Sequence, residues 1–274
     1  SARGLAAARP GDGSEDAARV RVDFYGRLGL MVTGLSAVLH VAGVVLRGVA
    51  AQRPPWGNMY EFITTALAFV VLIYLVCAVR FGMRWLGLGV TLILTVGLGL
   101  AVTQFYVEVA PLMPALHSAW FIFHIIAACA AGAAFNVGAI AAVLFLIRER
   151  AERRAAEGGA EITGYLAKLP SSARLDLFSY RMHAFGVPLW TFVIVAGAIW
   201  AQYAWGRFWD WDPKETWSFI TWLVYVAYLH ARATAGWRGR PVGSIAVIGV
   251  GAFWFDFVGV NLVQSSFTGF CPLE

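Results

Sequence analysis

The sequence predicts an all-α fold, a polytopic bundle of about seven transmembrane helices. Three observations predict it. Of 274 residues, 59% are hydrophobic and only 14% charged, with a mean hydropathy of +0.68, whereas soluble domains carry about 25% charged residues. The apolar residues run in stretches long enough to cross the hydrocarbon core, which takes about 20 helical residues. Lys and Arg gather at the ends of those stretches, in alternate connections, which is the pattern that orients a membrane protein.

In chain order the candidate spans are residues 24–46, 62–79, 86–107, 119–147, 184–203, 217–231 and 243–267. Basic residues at 3, 9, 19, 21 and 27, at 80 and 84, from 148 to 181 and from 232 to 240 place the N-terminal segment 1–23 and the connections after the second, fourth and sixth spans in the cytoplasm. The connections 47–61, 108–118 and 204–216, with the C-terminus, then face outward. Arg47, Arg53, Arg207 and Lys214 run against this segregation, as residues in functional loops often do. Residues 24–274 read as one transmembrane domain. Its cytoplasmic linker, 148–183, opens with the charge-mixed R-E-R-A-E-R-R-A-A-E-G-G. After Pro170, S-S-A-R-L-D-L-F-S-Y-R has a Ser cap and an apolar stripe, as expected of a helix lying at the membrane interface.

The net charge of +5 follows from this positive-inside pattern, and no separate basic domain offers itself to nucleic acid. Cys77, Cys129 and Cys271 form no C-x-x-C pair, so neither a disulfide framework nor a thioredoxin-like motif is encoded. The first residues are polar and rich in Ala, Arg and Gly, without a signal peptide, so the chain reads as starting within a longer protein.

Tryptophan is the anomaly. Of 12 in the chain, six (Trp200, Trp205, Trp209, Trp211, Trp217 and Trp222) fall within 23 residues. Interfacial anchoring accounts for some of them. The others sit in the loop at 200–217, among Arg207, Asp210, Asp212, Lys214 and Glu215, which is too polar for a lipid anchor. Indoles offer broad faces for stacking and one N–H donor each. A flat apolar macrocycle with two acid groups matches that surface, so haem is the ligand the chemistry suggests, ahead of a quinone or an aromatic peptide. Arg207 and Lys214 could meet the acid groups or pair with Asp210, Asp212 and Glu215, and Trp56 could extend the platform on the same face as Asn58 and Glu61.

The run W-G-R-F-W-D-W-D-P-K-E-T-W, followed by a span ending Y-L-H, resembles the WWD motif of the haem-handling membrane proteins. Within them the chain is most similar to the CcsA/ResC family of system II cytochrome c biogenesis. P-P-W-G-N-M-Y-E-F at 54–62, P-L-M-P-A-L-H-S-A-W at 111–120 and A-T-A-G-W-R-G-R at 233–240 support the likeness, which runs from about residue 25 to 263. The resemblance implies haem b as substrate and bound ligand, and a ResB/CcsB-type membrane partner. It also implies transport of haem outward and its attachment to C-x-x-C-H motifs of apocytochrome c. Such chemistry needs reduced thiols, and the chain has no redox pair, so a thiol-reducing partner is expected. A bacterial plasma membrane suits the Ala/Gly/Arg-rich composition better than a thylakoid.

Haem iron is commonly held by imidazole. His124 lies one turn beyond Trp120 near the outer end of its span, within reach of the Trp loop, and matches the first external haem histidine of the family. The second family histidine aligns with Thr268, which is not an iron ligand. His117 is the nearest substitute. His230, ending the sixth span, matches the histidine proposed to bind haem within the membrane; snorkelling beside Arg232 is the alternative. His40 reads equally as packing, an interhelical hydrogen bond or a ligand, and His183 as interfacial. Two rivals remain: a haem transporter or chaperone without synthase activity, and a quinone-binding or structural subunit of a respiratory complex.

Overall fold

A computed structural model describes residues 12–263, which form eight α-helices and no strand. They are α1 (Asp12–Ala51), α2 (Met59–Arg80), α3 (Gly87–Gln104), α4 (Ala119–Ala156), the single-turn α5 (Gly164–Lys168), α6 (Ser172–Trp205), α7 (Pro213–Ala233) and α8 (Arg240–Trp254). A π-helical turn at Phe255–Gly259 extends α8 toward Val263. Six of the described helices are long and apolar enough to cross a membrane. The seventh expected span is α7. Its 21 residues reach about 32 Å, but Lys214 and Glu215 at one end and His230 and Arg232 at the other dilute its apolar character. The fold is the polytopic helical bundle that the apolar runs predict.

The segment after Pro170 departs from expectation. It is not a separate interfacial helix but the first turns of α6, continuous to Trp205. Glu152 of α4 provides the cap, accepting from the Ser172 hydroxyl at 2.6 Å and the Ser172 N–H at 3.3 Å. That early start corrects a second expectation. His183 is not interfacial; it is fully buried, because α6 has already made three turns before reaching it. Its ring lies near Phe135, Tyr225 and Tyr228, with centroids 6.1, 4.9 and 5.0 Å away.

The centre of the bundle is the α4–α6 pair. Between 127 and 142, α4 is built almost wholly of Ala, Gly and other small residues, nearly all buried, which lets the helix backbones approach closely. A Cβ on Gly186 would stand 2.6 Å from the Phe135 ring, and one on Gly138 would stand 2.7 Å from His183. Around this pair pack α2, α7 and α8, with α3 outside α2. Helix α1 leans on α2, where His40 Nε2 meets the Thr64 carbonyl at 2.9 Å. This interhelical bond is one of the roles its sequence position allowed. Most of α1 is otherwise exposed, with only 6% of its apolar window buried.

Alternate connections collect at opposite ends. At one end Arg47 donates to Val107 O, Arg53 to Ala110 O and Trp200 to Ala115 O, which joins the segments 47–58, 105–118 and the end of α6. At the other, Tyr165 donates to Trp85 O, Arg148 to Leu166 O, and Arg232 pairs with Asp176.

Candidate functional site

The first of the joined segments is set by a cap and a buried carboxylate. Asn58 is the N-cap of α2, its side chain accepting the Glu61 N–H at 2.9 Å. Glu61, fully buried, accepts from Gly57 N at 2.8 Å, Arg53 Nη1 at 2.6 Å and Arg47 Nε at 3.0 Å. A buried charge persists only when paired and hydrogen-bonded, and here two guanidiniums do both. Arg47 and Arg53 break the basic-residue pattern for this reason, and the Gly57 bond to the same carboxylate ties down the connection that carries Trp56.

The third segment uses the same device. Asp212 caps α7 and accepts the Glu215 N–H at 2.8 Å, Pro213 takes the first helical position, and Glu215 reaches back to Asp210 N at 2.7 Å. This is a variant of the capping box. Arg207 meets Glu215 at 3.2 Å, Asp210 at 3.6 Å and Asp212 at 3.7 Å. Of the two pairings its sequence position left open, Arg207 takes the one with the loop acids. Trp211, between two acids, adopts a left-handed φ of 58°, a strained conformation of the kind that clusters at functional sites.

These segments wall a cavity of about 600 Å³ that runs down between α2, α4, α6, α7 and α8, a size typical of small-molecule sites. Trp56, Trp200, Trp205 and Trp209 form much of its upper wall, with Trp190, Phe253 and Phe257 deeper. His124 points into it. Its Nδ1 lies 2.9 Å from the Val193 carbonyl, so Nδ1 carries the proton and Nε2 keeps its lone pair. The ring stacks on Trp200 at 6.1 Å. Gly197 makes room for it, since a Cβ there would stand 2.9 Å from Nδ1.

Three further polar atoms on the wall make no hydrogen bond or close ion pair among the described residues. Trp209 Nε1 and Asp256 Oδ1 are buried without a hydrogen bond. Lys214 makes no hydrogen bond or ion pair among the described residues; its ammonium lies 5.9 Å from the Phe257 ring centre.

Of the residues singled out from sequence, the cavity gathers His124, Trp56, Trp205, Trp209, Arg207, Lys214 and Asp212. It does not include Trp211, which is exposed, Trp217, which packs on Phe255 at 4.2 Å, or Trp120, which packs edge-on to Phe123. His117 is exposed after the 3-10 turn Pro114–Leu116 and does not line the cavity. His230 is exposed on the last turn of α7, beside Thr234, about 24 Å along the helix from Lys214 by the helical rise. Thr268 and Cys271 lie outside the described residues. Sequence reasoning missed Trp200 as a wall residue, Phe257 and Asp256. Asp256 could have been found as an acid inside an apolar span.

A multi-pass helical bundle with an aromatic, histidine-bearing cavity at one end defines the class. The chain belongs to the family described as cytochrome C assembly protein, which it matches over residues 56–268. It is 32% identical over 240 residues to the cytochrome c biogenesis protein CcsA of Chlamydomonas reinhardtii, covering 85% of this chain and 65% of that protein. It is 38% identical over 192 residues to CcsA of Synechococcus elongatus, covering 57% of this chain and 59% of that protein. CcsA of Gloeobacter violaceus is 33% identical over 282 residues, with 84% and 83% covered. The chain thus spans less than two thirds of the first two relatives and most of the third.

Proposed function

We propose that this chain binds haem b in the aromatic cavity and serves cytochrome c biogenesis, presenting haem for covalent attachment to apocytochrome c. The observation that carries this is His124. Its Nδ1 is engaged by Val193, its Nε2 is free, and it opens into a cavity walled by indoles. The unpaired groups fit the same ligand. Lys214 and Trp209 Nε1 supply a cation and a donor for propionates, and the flat aromatic walls suit a macrocycle. Family membership and the relatives' names support the same assignment.

Bound haem supplies the iron and the vinyl carbons that thioether formation uses. The protein would fix geometry: His124 Nε2 would hold the iron, the Trp wall would pack on the macrocycle, and the apolar lining would exclude water. Held geometry of this kind removes several kcal/mol from a barrier, about 7–11 at the upper limit. His230, at the opposite end of α7, is a candidate for an inner haem site that a ResB/CcsB-type partner completes, with the N-terminus and His230 cytoplasmic and the cavity facing outward in a bacterial plasma membrane. A separate thiol reductant keeps the C-x-x-C-H cysteines reduced.

The test is the absorption spectrum of the protein purified with its partner, as wild type, His124→Ala and His230→Ala. Loss or shift of the Soret band in either variant is the expected result, and a wild type without haem would overturn the assignment.

A further inference from the structure

Two opposite charges on the cavity wall stand near each other without pairing. Asp256 lies inside the last apolar span, 3% exposed, and lines the cavity that His124 enters. An acid at such a position is rare and functional by default. Ser218 donates to its Oδ2 at 2.9 Å, while Oδ1 is buried with no hydrogen bond. Lys214 stands one helical turn before Ser218 on α7, and its ammonium lies 5.9 Å from the ring centre of Phe257, the neighbour of Asp256. The two residues thus border the same part of the cavity, and they attract each other without a close ion pair.

The other polar and ionisable groups on that wall are committed. Arg207 is held by Glu215, Asp210 and Asp212, and Glu215 and Asp212 are further engaged in the cap of α7. His124 spends Nδ1 on the Val193 carbonyl. Asn261 is neutral and donates to the Phe257 carbonyl at 2.6 Å. The α2 and α6 residues on the wall carry no charge. Among the described residues, a carboxylate entering this cavity therefore finds Lys214 as the uncommitted cation and Asp256 Oδ1 as the uncommitted acid oxygen.

We infer that Lys214 and Asp256 form a carboxylate-exchange site: a ligand carboxylate takes the Lys214 ammonium, and Asp256 accepts a proton as it does so. This rests on the cavity being a haem site, with a propionate as the carboxylate. If Asp256 stayed ionised, two carboxylates would share one ammonium within apolar walls, an arrangement that drives one of them to take a proton. The proton removes a buried charge that would otherwise lack a partner. It also turns Oδ1, an acceptor with nothing to accept, into a donor, while Ser218 keeps Oδ2. The proton comes from solvent and returns there when the ligand leaves, and Asp256 again balances Lys214. The loaded cavity holds one proton more than the empty one. Affinity therefore falls as pH rises, by up to about tenfold per unit once Asp256 ionises in the empty cavity. A macrocycle whose acids are esterified gains nothing from Lys214 and leaves the pair as it is, so the exchange also selects for acid-bearing ligands.

The probes are iron-free protoporphyrin and its dimethyl ester, added to the full chain purified with its partner from cells starved of haem, with quenching of tryptophan fluorescence as the readout. Neither probe carries iron, and any titration of His124 weighs on both alike, so their difference reports the exchange. Above about pH 6, where the propionates are ionised, protoporphyrin affinity in wild type should fall with pH while that of the ester stays level. Asp256→Asn should bind protoporphyrin with the level profile of the ester, and Lys214→Gln should bind it more weakly. Calorimetry in buffers of different ionisation enthalpy should count about one proton taken up per protoporphyrin bound, and none with the ester. That count needs no variant, so it decides the matter if Asp256→Asn does not fold. A pH slope common to acid and ester, a slope that persists in Asp256→Asn, or an absence of proton uptake overturns the inference and leaves the haem site standing. A wild type that takes up neither probe also overturns it, and one that takes up no haem either overturns the haem site as well.

Discussion

His124 and His183 belong to the same helix pair and start from nearly the same arrangement. Each directs Nδ1 to a carbonyl of α6, His124 to Val193 at 2.9 Å and His183 to Ser179 at 2.7 Å. Each is given room by a glycine on the facing helix, Gly197 for His124 and Gly138 for His183. Both therefore present Nε2 as the free nitrogen. What meets that nitrogen differs: for His124 a cavity of about 600 Å³, for His183 the packed rings of Phe135, Tyr225 and Tyr228. A lone pair makes a ligand only where there is space for a metal, so packing decides which histidine can act.

The largest effect expected follows from that contrast. His124→Ala should abolish the haem spectrum of the cavity and leave the bundle folded. His183→Ala should leave the spectrum and cost about 2–5 kcal/mol of stability, as truncation of a large buried side chain does. Absorption and thermal unfolding in detergent read the two separately, and a spectrum lost only in His183→Ala would invert the assignment. Next comes the carboxylate that shapes the cavity rim. Glu61→Ala strands two largely buried guanidiniums, which should cost about 3–5 kcal/mol, and should weaken haem retention, because Gly57, beside Trp56, loses its bond to that carboxylate. Unchanged stability would mean that Arg47 and Arg53 find other partners.

The glycines sharpen the comparison at smaller scale. Gly138→Ala places a Cβ 2.7 Å from a His183 ring with packed neighbours, so overpacking should cost about 1–3 kcal/mol with the haem spectrum intact. Gly197→Ala crowds His124 at 2.9 Å. Its ring can yield into the cavity, so the expected change is a shifted Soret band with little loss of stability. Equal melting shifts for the two would show that the cavity gives His124 no freedom.

Much of this was legible in the sequence because its causes are local. Uninterrupted apolar runs specify spans, whereas the Asn58 and Asp212 caps start α2 at Met59 and α7 at Pro213, ahead of the apolar runs expected from 62 and 217. His124 was legible because its distance from Trp120 fixes its depth. His183 was misplaced because a helix that begins at Ser172, capped by Glu152 from another helix, cannot be seen in the hydropathy of residues 172–183. The Glu61 clamp was invisible for a similar reason: it joins three segments, and only the two arginines standing against the charge pattern marked it. Which tryptophans line the cavity depends on the left-handed backbone at Trp211, which turns that indole out of the wall that Trp209 enters.

The smallest effect expected concerns the loop cations. Arg207 is surrounded by three acids, yet its side chain is 36% exposed and only one contact, to Glu215 at 3.2 Å, is close. Ion pairs of such exposure contribute about 0–1 kcal/mol, so Arg207→Gln should shift the melting midpoint little. Because its charge is already balanced by Asp210, Asp212 and Glu215, the variant should also retain haem. Lys214 makes no close ion pair, with Asp256 and Asp212 acting on it only through longer-range attraction, so Lys214→Gln should weaken haem retention, read as a faster loss of the Soret band to a haem-scavenging protein. If instead Arg207→Gln releases haem and Lys214→Gln does not, the loop acids must give up Arg207 when the ligand enters, and the rim that forms the cavity also rearranges to fill it.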